Sequence, residues 1–324
     1  MQYTTLGGTT LRVSVAGLGT GGFSRMGLKT GKTEEEAARL ILEATDLGIN
    51  FIDTAPAYGT EGVVGRALKS LPRDQVVIAT KSSVRRNGER FTPERVVASL
   101  DNSLRVMGTE RIDVFNLHGV ELDDYDYALN TLAPVLEAEK RKGKIGHIGV
   151  TENPIADHTN EMLKSALRDP VWDVFMVGFH MMHQVARDNV FSQTQAKGIG
   201  TLLMFAVRSI FTDPPRIARE VKDLAAKGLV DPSLGATDDP LGFLIHDGGA
   251  SDLVDAAYRY ARHEPGVDVV LFGTGDAAHL RSNVASLLKP QLPDADRTKL
   301  AALFGHLTGI GLDGHQRPHL GRTD

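Results

Sequence analysis

Asn50-Phe51-Ile52-Asp53-Thr54-Ala55-Pro56-Ala57-Tyr58-Gly59 runs a short apolar segment into a polar pair and then a turn. Such a run is too short for a helix and suits a strand buried on both faces. Asp53-Thr54 closes it, and Pro56 and Gly59 punctuate the loop before a helical pattern at Glu61–Leu71. The same order recurs upstream and downstream. Val15–Leu18 precedes it, and Val76–Thr80, Ile112–Leu117, His147–Val150, Asp173–Val177, Thr201–Phe205 and Val267–Phe272 follow, eight runs in all. Helical patterns lie between them at Ala37–Leu47, Thr92–Met107, Leu132–Lys142, Asn160–Arg168, Asn189–Lys197, Ser251–His263 and Ala277–Leu288. Thr33 with Glu36 makes a capping box, and Thr92-Pro93 a cap followed by proline at the first helical position.

Strands alternating with helices along the chain call for a parallel sheet, and eight of them close most naturally into a (β/α)8 TIM barrel of the α/β class. A hairpin, Gln2–Leu6 and Thr10–Val13 turned by Gly7-Gly8, is expected ahead of it. The expected organisation is a single domain over 1–324, with the barrel at about 14–290. A long insertion after strand 7, about 208–249, carries a helix near Ile217–Lys227. A further helix, Asp296–Leu307, and a tail occupy about 291–324.

Composition narrows the function. A formal charge of -5 and a pI near 6.1 give no basic field for nucleic acid or anionic lipid. No stretch approaches a membrane span, and the N-terminus has no basic start with an apolar run. The absence of cysteine rules out disulfides and thiolate metal sites and fits a cytoplasmic protein. His180 and His183 are spaced like metal ligands, but without a third partner they read as packing residues, as do His315 and His319; no metal is expected.

In such a barrel chemistry sits at the C-terminal ends of the strands. Asp53, Lys81 and His118 end three consecutive strands, and Tyr58 follows Asp53 in the same loop. Each alone has a bland reading as cap, solvated lysine, packing histidine or core tyrosine. Together on one rim they suit proton transfer to a carbonyl oxygen. An ammonium beside the phenol pulls its pKa down from ~10. Asp53 would hold Lys81, and His118 would orient the substrate oxygen. None of the four is a reductant, so a hydride cofactor is required.

Gly17-Leu18-Gly19-Thr20-Gly21-Gly22 has the spacing of a dinucleotide fingerprint, but no helix opens behind it, since Gly27 and Gly31 interrupt Phe23–Lys32. These glycines are expected instead to let backbone approach a ligand at the mouth of strand 1. After strand 8, Gly273-Thr274-Gly275-Asp276 precedes a helix, which suits an anion or an ordinary turn equally.

The chain resembles the aldo-keto reductase superfamily over roughly 2–290. The match rests on Phe51-Ile52-Asp53-Thr54-Ala55-Pro56-Ala57-Tyr58-Gly59, Ile78-Ala79-Thr80-Lys81, Asn116-Leu117-His118-Gly119 and Lys144-Ile145-Gly146-His147-Ile148-Gly149-Val150-Thr151. The resemblance implies NAD(P)H-dependent reduction of an aldehyde or ketone, or the reverse oxidation of an alcohol. Asp53, Tyr58, Lys81 and His118 are its catalytic tetrad and Tyr58 its proton donor. It places the cofactor against Gly19, Thr20, Asp53, Thr151, Met176, Phe205, Ala206, Val207, Arg208, Gly273, Thr274, Gly275, His279 and Asn283. Family habit points to NADP(H). Gly273 and His279 stand where many relatives carry Lys and Arg for its 2′-phosphate, which keeps NAD(H) open. Thr151-Glu152-Asn153 replaces the usual Ser-Asn after strand 5, and Met176 a common Gln. Phe23, Tyr58, His118, Tyr125, Tyr127 and the insertion are expected to frame the substrate pocket. The alternative is a regulatory barrel that binds cofactor with little turnover; a metal-dependent hydrolase is disfavoured by its thin ligand set. Neither oligomeric state nor physiological substrate is written in the residues.

Overall fold

A computed structural model describes residues 1–312. Its twelve strands run β1 (Tyr3–Thr5), β2 (Arg12–Ser14), β3 (Ala16–Gly19), β4 (Phe51–Asp53), β5 (Val77–Ser83), β6 (Arg85–Arg86), β7 (Glu89–Arg90), β8 (Ile112–Val120), β9 (Ile145–Glu152), β10 (Val174–Gly178), β11 (Gly200–Met204) and β12 (Val269–Phe272). Eight of them, β3, β4, β5, β8, β9, β10, β11 and β12, pair in parallel in that order, and β12 closes on β3 through Val270–Ala16 and Phe272–Leu18. These eight are the runs read from the sequence. The fold is a (β/α)8 barrel.

The buried apolar side chains divide as a barrel demands. Phe51, Val77, Val114, Val174, Met176, Leu202 and Val269 fill the inside, while a larger set packs strands against helices. The β1–β2 hairpin supplies Leu6 and Val13 to the inner set and so plugs the barrel floor. Its turn is pinned by Asp268, whose Oδ2 accepts from Gly7 N at 3.0 Å and Thr201 N at 2.9 Å. Gly7 has φ +52°, and a Cβ there would lie 2.2 Å from Gly200 N, so only glycine fits.

Local chemistry sets the helix starts. Thr33 accepts from Glu36 N while Glu36 returns a bond to Thr33 N, the reciprocal cap expected. The insertion helix begins earlier than its apolar pattern, at Pro214 rather than Ile217, because Asp213 caps it by accepting from Arg216 N. The expected helix at Leu132–Lys142 also starts earlier, at Leu122. Leu122–Tyr127 passes into a wide π turn at Ala128–Leu132, then into Ala133–Arg141. Pro134, which lacks an N–H and crowds the preceding turn, sits just after that widened turn. The C-terminal helix spans Asp294–Phe304. His315 and His319, with the tail from residue 313, lie outside the described residues. No described helix is long and apolar enough to cross a membrane.

Candidate active site

Parallel register brings the tetrad together. Asp53 ends β4, Lys81 lies in β5 and His118 in β8, three neighbouring strands whose side chains emerge at one rim. Tyr58 comes from the single turn Pro56–Tyr58. Lys81 Nζ donates to Asp53 Oδ1 at 2.5 Å and to Thr54 O at 2.9 Å, and it lies 5.1 Å from the Tyr58 ring centre. Tyr58 Oη is 3.5 Å from His118 Nε2, with the rings edge to face at 5.7 Å. On the other side Arg25 stands 4.9 Å over the Tyr58 ring, held by a bond to Gly21 O. A Cβ at Gly21 would lie 2.5 Å from Tyr58, so that glycine leaves room for the phenol.

Electrostatics correct one expectation. Burial pushes the Tyr58 hydroxyl above its usual pKa and exceeds the opposing pull of the Lys81 ammonium. The phenol is therefore protonated at neutral pH. Lys81, although its own burial disfavours charge, is held above the usual lysine range by Asp53 and Tyr58. Burial raises the Asp53 carboxyl while Lys81 pulls it back, and the 2.5 Å contact is that of an ion pair. His118 is lowered to about 3, by burial first and then by the charges of Lys81 and Arg25, so its ring is neutral.

Two cavities meet this group. The larger, about 820 Å³, runs from Asp53 and Tyr58 past Met176 and Met204 to the loops after β11 and β12. Of the expected cofactor residues, Gly19, Asp53, Met176, Phe205, Ala206, Val207, Arg208, Gly273, Thr274, Gly275 and His279 line it. Phe205 holds φ +73° with the Arg208 guanidinium 4.1 Å over its ring, a strained backbone at the cavity wall. Three expected residues do not line it. Thr20 is buried with its hydroxyl on Thr60 at 2.7 Å. Thr151 accepts from Gly119 N at 2.6 Å. Asn283 lies one turn beyond His279 on the helix Ala277–Leu288.

Arg25, Lys29, Lys32 and Asp276 line the same cavity and were missed. The first three lie in a stretch without helical period, which gave no reason to bring them to the rim. Asp276 caps its own helix: its Oδ1 accepts from Ala278 N at 2.8 Å and His279 N at 2.9 Å, so those two N–H groups are taken, while Gly273, Thr274 and Gly275 line the cavity beside them.

The second cavity, about 720 Å³, meets the group at His118 and Lys81 and is not lined by Tyr58. His118 and Lys81 form its inner wall, and the loop after β5 and the helix Pro93–Met107 its outer one. Phe23 lines the larger cavity, 46% exposed. Tyr125 and Tyr127 line neither. Tyr125 is buried, donates to Asp169 Oδ2 at 2.6 Å and accepts from Trp172 Nε1 at 3.1 Å. Tyr127 donates to Phe91 O at 2.9 Å. Both tie their helix to neighbouring loops instead. His180 and His183 face each other across a two-residue bridge, and each Nδ1 accepts a backbone N–H, from Met182 and Gly309.

The aldo/keto reductase family model matches residues 17–303, and the chain belongs to that family. The L-galactose dehydrogenase of Arabidopsis thaliana is 35% identical over 161 residues, 48% of this chain and 50% of that one. The NADH-specific methylglyoxal reductase of Escherichia coli strain K12 is 34% identical over 182 residues, 51% of this chain and 56% of that one. These alignments thus span about half the length of the curated relatives. A solved structure from Pseudomonas aeruginosa assigned to the aldo-keto reductases has a TM-score of 0.64 at 30% identity, covering 88% of this chain and 93% of its own.

Proposed function

We propose that the protein reduces an aldehyde or ketone to the alcohol, or runs the reverse, using NAD(H). The observation that carries this is a protonated phenol lining the larger cavity, set between a charged ammonium and a neutral imidazole that line the second. The larger cavity suits a nicotinamide cofactor, which when bound supplies the hydride to the carbonyl carbon. Asp53 at one end and the loops after β11 and β12 at the other would hold it.

The chain's own residues then handle the oxygen. Neutral His118 hydrogen-bonds the carbonyl and fixes its orientation. Tyr58 delivers its proton to that oxygen as negative charge develops there. The phenolate left behind is stabilised by Lys81, which Asp53 keeps charged. In the alcohol-oxidising direction the same proton returns to Tyr58.

Three observations support NAD(H) over NADP(H). Asp276 places a carboxylate at the helix start after β12. Arg281 is engaged with Glu43. Lys32, in the same cavity, has the Asp276 carboxylate near enough to feel its charge, a minor influence beside that carboxyl's bonds from His279 N and Ala278 N. The NADH-specific relative is in keeping with this.

The test is nicotinamide absorbance with a panel of aldehydes and ketones, run with NADH and NADPH. Oxidation on substrate addition is expected, with NADH favoured by about tenfold in kcat/KM, equivalent to ~1.4 kcal/mol. Tyr58→Phe should fold, bind cofactor and lose about 10²–10⁴-fold in kcat, the usual worth of one proton transfer. Turnover near the wild-type rate in that variant would remove Tyr58 from the chemistry.

A further inference from the structure

The second cavity carries a charge pattern that the reductase reading does not use. Four arginines lie on the loop after β5 and the start of the following helix, and they divide into two pairs. Arg85 and Arg90 are committed to Asp124: Arg85 grips both its carboxylate oxygens at 2.8 and 2.6 Å, and Arg90 Nε donates at 2.7 Å. These bonds tie the base of the β6–β7 hairpin to the helix Leu122–Tyr127. Arg86 and Arg95 are not so committed. Both are exposed, both line the cavity, and neither makes an ion pair with another described residue. Arg95 instead lies flat over Phe91, its guanidinium 3.6 Å from the ring centre, which orders the side chain while leaving its N–H edge available.

The remaining lining agrees with them. Ser83 and Ser99 add hydroxyls, His118 and Lys81 close the inner end, and no carboxylate lines the cavity among the described residues. A cavity with two uncommitted guanidinium groups, two hydroxyls and no acidic residue favours an anion and disfavours a cation. Its inner wall is the imidazole that would hold the reacting oxygen. A molecule filling it can therefore present a carbonyl to His118 at one end and an oxyanion to Arg86 and Arg95 at the other.

We propose that this cavity is a subsite for the anionic end of the substrate, and that the preferred substrate is an aldehyde or ketone bearing a carboxylate or phosphate. The inference rests on the carbonyl-reductase reading and adds the substrate class to it. The arginines do not enter the proton or hydride transfer. They select and align, so their effect falls on acidic substrates relative to neutral ones.

The experiment compares succinic semialdehyde and its longer homologues with the unsubstituted alkanals of equal length, and glyceraldehyde phosphate with glyceraldehyde, in the wild type and in Arg86→Gln/Arg95→Gln. In the wild type kcat/KM is expected to favour the acid by at least about tenfold in one of the two pairs, a modest return for a charge-assisted hydrogen bond. Which pair shows it identifies carboxylate or phosphate. The double variant should bring that ratio close to one, and added salt should erode the wild-type ratio, because both arginines are exposed. Equal kcat/KM within both pairs, or a ratio unchanged in the double variant, overturns the subsite while leaving the reductase reading intact. Calorimetric titration of γ-hydroxybutyrate, and of glycerol phosphate, with butanol as the neutral control, requires no turnover. Arginine-dependent binding in a chain that reduced nothing would uphold the anion subsite and sink the reductase reading. Binding of neither acid, in a chain that also shows no acid preference in turnover, overturns it.

Discussion

At the end of β4 the Asp53 carboxylate lies 2.5 Å from an ammonium; at the end of β9 the Glu152 carboxylate meets no cation among the described residues. Glu152 accepts from Gly178 N at 2.7 Å and from Asn160 Nδ2 at 2.8 Å, and burial, outweighing those two bonds, raises its pKa to about 8. Both groups are buried at the same rim of the same barrel. The difference is the partner. A buried carboxylate with an ammonium keeps charge where a phenol can use it, whereas one met only by neutral donors is driven toward its protonated form. Between these two buried strand-end carboxylates, charge is thus kept only where β5 supplies an ammonium.

The sharpest way to break that contrast is Lys81→Met. It leaves Asp53 buried without its cation, which should cost about 3–5 kcal/mol of stability and remove the charge that stabilises a Tyr58 phenolate. Denaturant unfolding and carbonyl turnover read the two losses. Adding Asp53→Asn should recover much of the stability and none of the activity. If the double variant is no more stable than Lys81→Met, the destabilisation is not that of an orphaned charge.

Glu152→Gln sharpens the other side with a smaller effect. The folded-state pKa is raised from 4.5 to about 8, so between those values the folded chain holds a proton that the unfolded chain has lost. Stability conferred by Glu152 is present below the lower value and is lost as pH rises through that window. The glutamine variant, always neutral, should lack this slope, so its Tm relative to wild type should climb steadily from pH 5 to pH 8.5, roughly the window in which a shift of this size acts. A parallel pH profile for the two proteins would mean that Glu152 is ionised throughout.

The tetrad was legible because one rule locates chemistry in this fold: strand ends at one rim. Asp53, Lys81 and His118 could be assigned to strands from short apolar runs, and Tyr58 was carried in with Asp53. What was not legible depended on directions that pattern does not encode. Tyr125 and Tyr127 were expected beside the substrate, but they lie on a helix, where residues two apart cannot share a face. The β6–β7 hairpin was overlooked although Asn87-Gly88, with φ of +52° and +82°, is a common two-residue turn between strands. Missing it also hid Arg86. At Gly273–Asp276 the glycines were counted and the cap was not. Asp276 can serve as its own helix's acceptor, and nothing in spacing alone distinguishes a self-capped start from one open to phosphate.

The hairpin that stoppers the barrel floor ties the beginning of the chain to its far end. Gly7 shares Asp268 Oδ2 with Thr201, a contact spanning 261 positions, and Leu6 packs into the interior that β12 completes. During synthesis the first strands leave the ribosome long before their anchor exists, so the base of the barrel cannot be sealed until almost the whole chain has emerged. Until then, the apolar side chains of the opening hairpin have no native place to go.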